Sequence, residues 1–520
     1  MSAQTQTVNL TPPAKQTYGQ ILKSSALIGG SSVLNIGFTV VRTKAMALLL
    51  GPAGFGLMGI YSSVSELVRS FAGMGLNNSG VRQIAEAVGS QDDRRIAETV
   101  TTLRRVAFAT GALGGLLLLA LCKPVSVLTF GDTQHAGAIA LLGLVAFFAD
   151  VSAGQVALVQ GMRRIADLAR ITLLGGFFGT ALSIPIVYLY YRQGRGDQGV
   201  VPALIAVAAT GILTSWWYAR KVSVPRVTMT LRESYGQTSA LLKLGFVFMV
   251  TGLMNLGVAY LARIILVHRM DLAAAGFYQA AWTLGGVYFG FILQAMGADF
   301  YPRLTAVARD NTECNRLVNE QAEVGLLLAA PGVLGTLTFA PLIIELFYSQ
   351  RFGPAVDVLR WICLGMVLRV ASWPMGFILL AKGEGSLFFW TELIGNCLQA
   401  GLIWIGVRYM GLEGAGMAFF ALYIFYGIGI YFVVRRVSGF RWSSANRRLA
   451  CYFVPLVAIV FGSWYLFPRF WSAILGVVVT CVSGIYSLRL LCKLVPLNKV
   501  PRPVLGVLRA LRLMGPANEG

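Results

Sequence analysis

Charged side chains are scarce in this sequence, and acidic ones are the scarcest. Across 520 residues, charged residues make up 12% and hydrophobic residues 56%, and 22 Asp and Glu stand against 43 Lys and Arg. A soluble domain carries about twice that share of charge, because its surface must be solvated. The composition therefore excludes an ordinary water-soluble protein.

The residues that usually build metal, redox or nucleotide sites are also few and dispersed. The two histidines, His135 and His268, lie far apart, and the seven cysteines form no CxxC pair. The sequence has no GxxxxGK[ST] loop to hold nucleotide phosphates and no long polar loop to carry paired carboxylates. We therefore predict no metal, no cofactor, no disulfide framework and no catalytic residues, and we do not expect an enzyme or an ATP-driven pump.

In place of these features the chain has about fourteen long apolar stretches. Each is close to the length of about 20 residues that crosses a bilayer. An even number of spans places both termini on the same side of the membrane. The predicted spans are 21–46, 54–76, 97–121, 136–158, 171–191, 200–219, 240–264, 275–297, 323–347, 358–380, 386–407, 413–434, 449–467 and 470–492.

The distribution of basic residues indicates which side of the membrane the two termini face. About thirty of the 43 Lys and Arg fall in the terminal arms and in alternate loops of this layout, and such loops face the cytoplasm. Both termini are therefore predicted to be cytoplasmic. The net charge of +21 is explained by this bias and by attraction to anionic lipids rather than by nucleic acid. Residues 1–18 are polar, so the first span itself is expected to direct insertion.

The chain also contains an internal repeat. The segment VVRTKAMALLLGPAGFGLMGIYSS at 40–63 matches YLARIILVHRMDLAAAGFYQAAWT at 260–283, and Arg42 corresponds to Arg263 at an offset of 221 positions. A second match follows the next span at the same offset. Repeated matches at nearly one offset, each at the same place relative to a hairpin, indicate a duplication.

Six spans separate the two copies, so both halves have the same orientation and are related by an axis along the membrane normal. The predicted fold is an all-α integral membrane protein of about fourteen helices, with two six-helix lobes in a parallel pseudo-twofold repeat. Two facing lobes leave a central cleft, which is the architecture of an alternating-access carrier. The predicted segments are a cytoplasmic tail at 1–18, an N-lobe at 19–236, a C-lobe at 237–437, and an extra span pair with a basic tail at 438–520.

A stripe of polar residues runs along the first span of each half. Ser31, Asn35, Thr39 and Arg42 recur at helical spacing and share one face. The matching span has Asn255 and Arg263 on one face. A charged residue within a span costs about 2.5–3.5 kcal/mol. For Arg42 and Arg263 this favours a water-filled cleft over snorkelling to the headgroups, whereas for Lys44 both interpretations remain open.

Other charged residues lie within or near spans. Glu66 and Arg69 are three apart and are expected to form a local pair. Asp150 has no partner nearby in the sequence, which makes it a candidate for proton or cation coupling or for pairing with a basic residue across the cleft. Arg369 and Glu392 lie on consecutive spans and are candidates for a pair across their hairpin.

Two glycine-rich segments join apolar spans and are predicted to be tight turns, because glycine adopts backbone angles that other residues avoid. They are GPAGFG at 51–56 and GLEGAG at 411–416. The structural turn residues predicted from the first of these and from its repeat are Gly51, Pro52, Gly54, Gly56 and Gly276.

Several segments resemble the Wzx-type O-antigen flippases of the polysaccharide-transporter branch of the MOP exporter superfamily. These segments are LGPAGFGLMG at 50–59, GLNNSGVRQIAEA at 75–87, the stretch at 276–310, and LLAKGEGSLFF at 379–389, and the resemblance covers about residues 20–437. It implies two six-span lobes and a polyprenyl-diphosphate-linked oligosaccharide as substrate, moved to the outer leaflet of a bacterial inner membrane. A glycan polymerase and a chain-length regulator are the partners it implies, besides membrane lipids.

The resemblance carries over to individual residues only where the motif matches. It places the basic residue before the turn at Arg42, with Lys44 beside it and Arg263 as the counterpart in the second half. Arginine suits a diphosphate because its planar fork donates two parallel hydrogen bonds. Aromatic residues such as Tyr278 would stack on sugar faces or serve as core. The residues predicted to bind the headgroup are Arg42, Lys44, Arg263, Asn35, Asn255 and Arg69.

Two alternatives remain open within the same superfamily. A small-molecule or drug exporter is one, although its cleft is expected to hold more carboxylates than this sequence offers. A lipid II-type flippase is the other, because residues 438–520 exceed the twelve-span pattern of the O-antigen branch and such flippases carry fourteen spans.

Overall fold

The computed structural model describes residues 14–90, 92–222, 227 and 231–494. Seven stretches within these ranges are described by their backbone alone: 14–29, 77–78, 231–248, 251, 287–289, 291–292 and 294–299. The predicted N-terminal tail at 1–18 lies outside the described residues up to residue 13, and the basic tail after residue 494 lies outside them entirely.

The described chain is helical from end to end, and its described residues contain no strand. Two short 3₁₀ turns, Gly196–Gly199 and Gln350–Phe352, stand between helices. The helices are α1 Ala14–Gly73, α2 Leu76–Gly89, α3 Asp93–Phe130, α4 Ala136–Gly161, α5 Ile165–Arg192, α6 Val200–Ala219, α7 Leu231–Arg269, α8 Leu272–Ala306, α9 Asn311–Phe347, α10 Ala355–Ala381, α11 Gly385–Ser438, α12 Ser444–Leu466 and α13 Arg469–Leu494.

Among the described residues, ten helices are long and apolar enough to cross a membrane. Two of them, α1 and α11, are bent at a glycine, and each arm is long enough to span on its own at 1.5 Å per residue. The helices α7 and α8, with 39 and 35 residues, supply the two remaining spans of the predicted fourteen. The prediction of an all-α integral membrane fold is confirmed.

The two bends occur where the sequence predicts turns. Gly51 has φ 65° and ψ −173°, and Gly411 has φ 61° and ψ −140°. Side chains other than hydrogen clash in this region of backbone space, so only glycine enters it freely. Pro52 follows the first bend, where the missing N–H of proline costs nothing because a new helical arm begins. At both glycines the helical geometry is interrupted, so α1 and α11 are each two helices joined at a glycine with almost no loop between them.

Short acidic or hydroxyl side chains begin several helices. Asp92 accepts hydrogen bonds from the backbone N–H groups of Arg94 and Arg95 at the start of α3. Asp271, Asp310 and Ser443 cap α8, α9 and α12 in the same way. Each of these residues satisfies donors that a helix leaves unpaired at its first turn. These caps fix where the loops end and the spans begin.

The described chain divides into two compact units. The first contains residues 1–50 and 61–253, and the second contains residues 51–60 and 254–520. The predicted lobes at 19–236 and 237–437, with an extra pair at 438–520, remain a prediction about topology. In the first unit α3, α4, α5 and α6 form the core, and Ile84, Leu103 and Leu158 are fully buried in it.

In the second unit, α10 is the central helix and packs against α8, α9 and α11. Its side chains Val358, Ile362 and Ile378 are fully buried. The C-terminal helices α12 and α13 pack on the outside of α9. Apolar side chains on the outer faces of both units are exposed, as expected for helices whose outer solvent is lipid rather than water.

Candidate functional site

Arg42 lies in the first arm of α1, nine residues before the bend at Gly51. At 1.5 Å per residue it is about 13 Å from that bend along the helix. Its side chain is partly buried, and within the part of the chain that the structure describes it makes no hydrogen bond or ion pair. Asn35, two turns earlier on the same face of this arm, packs against Gly176 of α5. Lys44 has its own contacts and is partly buried.

Arg69 and Asp150 form an ion pair between α1 and α4 of the first unit. Nε of Arg69 lies 3.2 Å from Oδ1 of Asp150, and the side chain of Asp150 is 7% exposed against 34% for Arg69. Among the residues that the structure describes, the second carboxylate oxygen, Oδ2, has no hydrogen-bond partner. The structure thus gives Asp150 the basic partner that its sequence neighbourhood lacks, and it supplies this partner from within the first unit. Arg69 pairs with Asp150, whereas the sequence predicted a local pair with Glu66.

Arg263 is buried in the second unit and is tied to its surroundings. Its Nε donates to Oε1 of Gln279 at 2.9 Å, Nη2 donates to the same oxygen, and Nη1 donates to the carbonyl oxygen of Ala259. Only 6% of the residue is exposed. The positive charge of Arg263 is therefore compensated by hydrogen bonds to an amide oxygen and a backbone carbonyl oxygen. This arrangement differs from that of its repeat counterpart Arg42.

The two repeat motifs meet in the second unit, where Gly56 and Gly276 bring their helices into backbone contact. A Cβ atom added at Gly276 would lie 1.9 Å from the carbonyl oxygen of Pro52, and one added at Gly56 would lie 2.2 Å from that of Leu272. Only glycine permits this approach. Gly54 is buried in the same segment. The predicted turn residues therefore bring two helices together as well as bending one.

A cavity of about 470 Å³ lies inside the second unit, between α7, α8, α10 and both arms of α11. This volume is within the range of about 300–1,000 Å³ that is typical of small-molecule sites. Of the predicted site residues, Asn255 lines this cavity, and so does Tyr278. Arg42, Lys44, Arg69 and the other predicted binding residues are not among its lining side chains.

Aromatic rings form a large part of the cavity wall. Trp282 stacks on Tyr278 with centroids 6.0 Å apart and meets Phe419 edge to face at 5.2 Å. Phe419 in turn contacts Tyr423 at 5.0 Å. On another wall, Trp373 packs against Phe377 at 4.4 Å. Rings held by other rings in this way have fixed orientations, and they offer flat apolar faces to a ligand.

Polar side chains stand among these rings, including Arg369, Glu392, Asn396 and Gln399. The hydroxyl of Tyr426 donates to Oε1 of Glu392 at 3.0 Å, and the amide of Asn396 donates to the backbone oxygen of Glu392 at 2.8 Å. The guanidinium carbon of Arg369 lies 5.9 Å from the ring centroid of Tyr423. Within the described residues, neither the guanidinium of Arg369 nor the amide of Gln399 makes a hydrogen bond. Glu392 thus bonds to Tyr426, where the sequence suggested Arg369.

The sequence interpretation noted Arg369 and Glu392 as charges within spans but did not assign them to a site. A signal was present in the sequence, because Glu392, Asn396 and Gln399 are spaced by four and three residues and share one face of a helix. The stretch from Arg369 to Phe377 repeats the pattern on α10. This spacing does not identify a site by itself. The second arm of α11 closes the cavity, and its packing against the first arm is not encoded in the spacing.

The described part of the chain contains no group of three or more His, Cys, Asp or Glu residues that is arranged to hold a metal ion. Its seven cysteines are all unpaired. The polar groups available are arginine forks, amides, one carboxylate in the cavity and one buried carboxylate at Asp150. These are groups that bind anions and hydroxyl groups through hydrogen bonds.

The fold defines a structural class, and solved membrane transporters share it. The chain resembles the solved structure of the lipid II flippase MurJ in an inward closed conformation, with a TM-score of 0.64, 14% sequence identity, and coverage of 91% of this chain and 100% of that one. An inward-facing multidrug resistance MATE family transporter of the MOP superfamily gives a TM-score of 0.62 at 18% identity, covering 77% and 94%. At these identities the likeness establishes the fold alone.

Within that class, the sequence match is more specific. The chain belongs to a family described as polysaccharide biosynthesis proteins, whose model matches residues 45–357. It is 24% identical over 430 residues to the lipid III flippase of Escherichia coli (strain K12), covering 80% of this chain and 99% of that protein. It is 21% identical over 414 residues to the lipopolysaccharide biosynthesis protein WzxC of the same organism, covering 78% of each. The family resemblance seen in the sequence is confirmed.

Proposed function

We propose that this protein is a flippase that moves a polyprenyl-diphosphate-linked oligosaccharide of the O-antigen type from the inner to the outer leaflet by alternating access. The family membership supports a role in polysaccharide assembly, and the matched relatives named as flippases support a lipid-linked substrate. The polyprenyl tail of such a substrate dissolves in lipid. Its charged diphosphate and polar sugars cannot cross hydrocarbon without polar partners. A hydrated cationic path is therefore what the reaction requires.

The observation that carries the proposal is the state of Arg42. A charge within a membrane span is costly, and such residues usually face water or an opposite charge. Within the described residues, Arg42 has no bonded partner of its own. A diphosphate is the partner of matching chemistry, because the planar guanidinium donates two parallel hydrogen bonds to phosphate oxygens.

The other predicted headgroup residues take unequal parts in this proposal. Lys44 and Asn35 lie on the same arm of α1 as Arg42 and extend the polar stripe. Asn255 offers an amide in the second unit. Arg263 and Arg69 are already bonded, to Gln279 and to Asp150, so we assign them secondary, charge-balancing roles in headgroup binding.

Two sources can drive net movement outward. Each elementary charge is worth about 2.3 kcal/mol per 100 mV of membrane potential, so moving a diphosphate out of a negative interior is favourable. Asp150, with Oδ2 unbonded, is the proposed site of proton or cation coupling. A flipping rate that responds neither to an imposed voltage nor to an ion gradient contradicts both sources. The remaining driving force is then removal of the product on the outer side of the membrane.

The proposal places the protein in a bacterial inner membrane with both termini in the cytoplasm. A glycan polymerase and a chain-length regulator would act next on its product. A lipid II-type flippase and a small-molecule exporter are the competing functions, and the fold is shared by both.

The test measures flipping by purified protein in liposomes. The probe is a fluorescent polyprenyl diphosphate that carries an oligosaccharide, and a membrane-impermeant quencher reports how much headgroup is exposed. We expect protein-dependent exposure of the inner pool, reduced at least tenfold in Arg42→Gln and in Arg42→Glu. Arg192→Gln is the matched control, because Arg192 is exposed at the end of α5.

Three results would count against the proposal. Wild-type protein that folds but moves no lipid-linked sugar contradicts a flippase function. Export of a lipophilic dye instead supports the small-molecule exporter. Full flipping by Arg42→Glu excludes the cationic path through Arg42, even where the flippase function itself survives.

A further inference from the structure

The cavity in the second unit is not built like a diphosphate site. It holds one arginine, Arg369, and one carboxylate, Glu392, so its formal charge is balanced. A diphosphate brings about two negative charges, and the carboxylate of Glu392 would repel it at close range. The remaining polar side chains, among them the amides of Asn255, Asn396 and Gln399, are neutral. The contents of the cavity therefore fit a ligand that is uncharged and rich in hydrogen-bonding groups.

The walls and the polar groups together match one ligand chemistry. A sugar ring has an apolar face of C–H groups that stacks on flat aromatic surfaces, and a rim of hydroxyl groups that both donate and accept. Trp282 and Trp373 provide the flat surfaces. Glu392 and Gln399 accept hydrogen bonds from hydroxyl groups, and Arg369 and Gln399 donate to them.

We propose that this cavity is a saccharide-binding site that receives a sugar of the lipid-linked oligosaccharide. The inference rests on the proposed function for the identity of the substrate and adds where its sugar is recognised. Glu392 is held for this task by Tyr426, which donates to one of its oxygens at 3.0 Å and leaves the other for a ligand. Trp282 is fixed by Tyr278 on one side and by Phe419 on the other.

The site orders its groups before the ligand arrives, which reduces the entropy lost on binding. The amide nitrogen of Asn396 donates to the backbone oxygen of Glu392 at 2.8 Å, one turn earlier on the same helix. This bond fixes the orientation of the Asn396 side chain. Rings in edge contact position Tyr423 beside the guanidinium of Arg369. The cavity volume of about 470 Å³ is large enough for one or two sugar rings and too small for a long glycan, so the site is expected to read sugars near one end of the repeat unit.

The first experiment measures binding without any lipid or phosphate. Purified protein is titrated with the soluble oligosaccharide that mild acid releases from the lipid-linked glycans of cells that carry this chain, and tryptophan fluorescence is recorded. We expect a saturable change for the wild type, at least tenfold weaker binding for Glu392→Gln, and loss of the signal for Trp282→Leu. Trp390→Leu is the matched control, because Trp390 is 54% exposed, lies two positions from Glu392 and is not part of the cavity wall.

The second experiment separates this site from the phosphate path. Flipping is measured for two lipids, a polyprenyl diphosphate without sugar and the same lipid carrying the oligosaccharide. We expect Glu392→Gln and Arg369→Gln to slow only the glycosylated lipid, by at least tenfold, and Arg42→Gln to slow both. The sugar-free lipid thus reports on the diphosphate path alone.

The outcomes of the two experiments are distinguishable. If both cavity variants move the glycosylated lipid at the wild-type rate, the saccharide site is wrong and the flippase proposal is unaffected. If the cavity variants slow both lipids equally, the saccharide site is also wrong. The cavity residues would then contact the diphosphate or be needed for the stability of the protein. A wild type that moves neither lipid contradicts the proposed function, and saturable oligosaccharide binding lost in Glu392→Gln would still support the site. Binding of tetraphenylphosphonium in place of the sugar, lost in the same variant, overturns it in favour of a cation exporter.

Discussion

Nε of Arg69 lies 3.2 Å from Oδ1 of Asp150, and this ion pair joins α1 to α4 in the first unit. The two residues are separated by 81 positions in the sequence, so no local pattern could have revealed the pair. Asp150 is the more deeply buried partner, and its Oδ2 atom has no hydrogen bond. Its negative charge therefore depends on the one contact with Arg69.

We predict that Arg69→Gln destabilises the protein more than Asp150→Asn does. Removing Arg69 leaves a buried carboxylate without a compensating charge, whereas removing the charge of Asp150 leaves an arginine that is one-third exposed and can reach water. Breaking a buried pair from the side that leaves the buried charge costs on the order of 3–5 kcal/mol. The measurement is the thermal unfolding midpoint of each variant in detergent.

The double variant Arg69→Gln, Asp150→Asn is the control for this order. It removes both charges together, so its unfolding midpoint is expected to lie above that of Arg69→Gln alone. A midpoint for Asp150→Asn below that of Arg69→Gln contradicts the assignment of Asp150 as the partner that needs compensation.

We predict that Gly276→Ala separates the two repeat motifs and lowers stability strongly. The added methyl group would lie 1.9 Å from the carbonyl oxygen of Pro52, which is backbone and cannot move aside as a side chain can. Overpacking of this kind costs about 1–3 kcal/mol or more. Gly286→Ala on the same helix is the control, because a methyl group there meets nothing within 4 Å. The unfolding midpoints of the two variants are compared, and equal midpoints would disprove the close approach.

We predict that no substitution at Gly51 preserves the bend in α1. Its φ of 65° combined with ψ of −173° lies in a region that is almost restricted to glycine, and occupying it costs other residues about 1–3 kcal/mol. Space is not the obstacle, because an added Cβ meets nothing within 4 Å. Gly51→Ala and Gly51→Asn are therefore both expected to lower the unfolding midpoint and the flipping rate.

The control for Gly51 is Gly37→Ala in the same arm of α1. Gly37 also has open space around its Cβ position but has an ordinary helical backbone, so alanine there is expected to be neutral or stabilising. A harmless Gly51→Asn variant would show that the bend tolerates a left-handed residue and would contradict the strain argument.

The sequence was sufficient to predict the fold because its main features are local. Runs of apolar residues predict spans, and the glycines at 51 and 411 predict the interruptions of α1 and α11. The all-α membrane fold is confirmed, and both glycines have positive φ. The sequence could not show how short each connection is, because glycine-rich segments form long loops and tight turns with the same composition.

The site was harder to predict, because its pairs are distant in sequence. Periodicity placed Arg42 on a polar face, but it could not distinguish a charge without a bonded partner from one that is bonded. Arg263, its repeat counterpart, binds Gln279 sixteen positions later, on the next helix. The cavity residues Glu392 and Tyr426 come from two arms of α11 whose meeting depends on the bend at Gly411. Side-chain pairing across helices is a property of packing, which one sequence does not encode in a readable pattern.

We predict that the repeat-related arginines Arg42 and Arg263 respond differently to the same substitution. Arg263→Gln removes the donors to Oε1 of Gln279 at a buried position, and an acceptor left unpaired in this way costs about 1–3 kcal/mol. Arg42→Gln breaks no bond within the described residues. The unfolding midpoint is therefore expected to fall for Arg263→Gln alone, while flipping falls for Arg42→Gln at unchanged stability. A loss of stability of the same size in both variants would assign Arg42 a structural role.

We predict that Asn319 holds the C-terminal helix pair to α9. Its amide nitrogen donates to the carbonyl of Arg441 at 3.0 Å, and its Oδ1 accepts from the backbone N–H of Ser443 at 2.8 Å and from Asn446 at 3.0 Å. The side chain thus satisfies the backbone of the turn that enters α12. The side-chain amide of Asn446, in contrast, donates only to Asn319, and its own Oδ1 has no partner within the described residues.

The two asparagines are therefore not equivalent, although they contact each other. Asn319→Leu takes the hydrogen-bond partner from the part-buried carbonyl of Arg441 and the part-buried N–H of Ser443, at up to about 1–3 kcal/mol for each group. Asn446→Leu removes two hydrogen bonds, both to Asn319. We expect the unfolding midpoint to fall further for Asn319→Leu, and we expect cleavage by added protease to increase at residues 439–443. If Asn446→Leu proves the more damaging change, the helix pair is held by the packing of α12 rather than by the capped turn, because the turn keeps all of its hydrogen bonds in that variant.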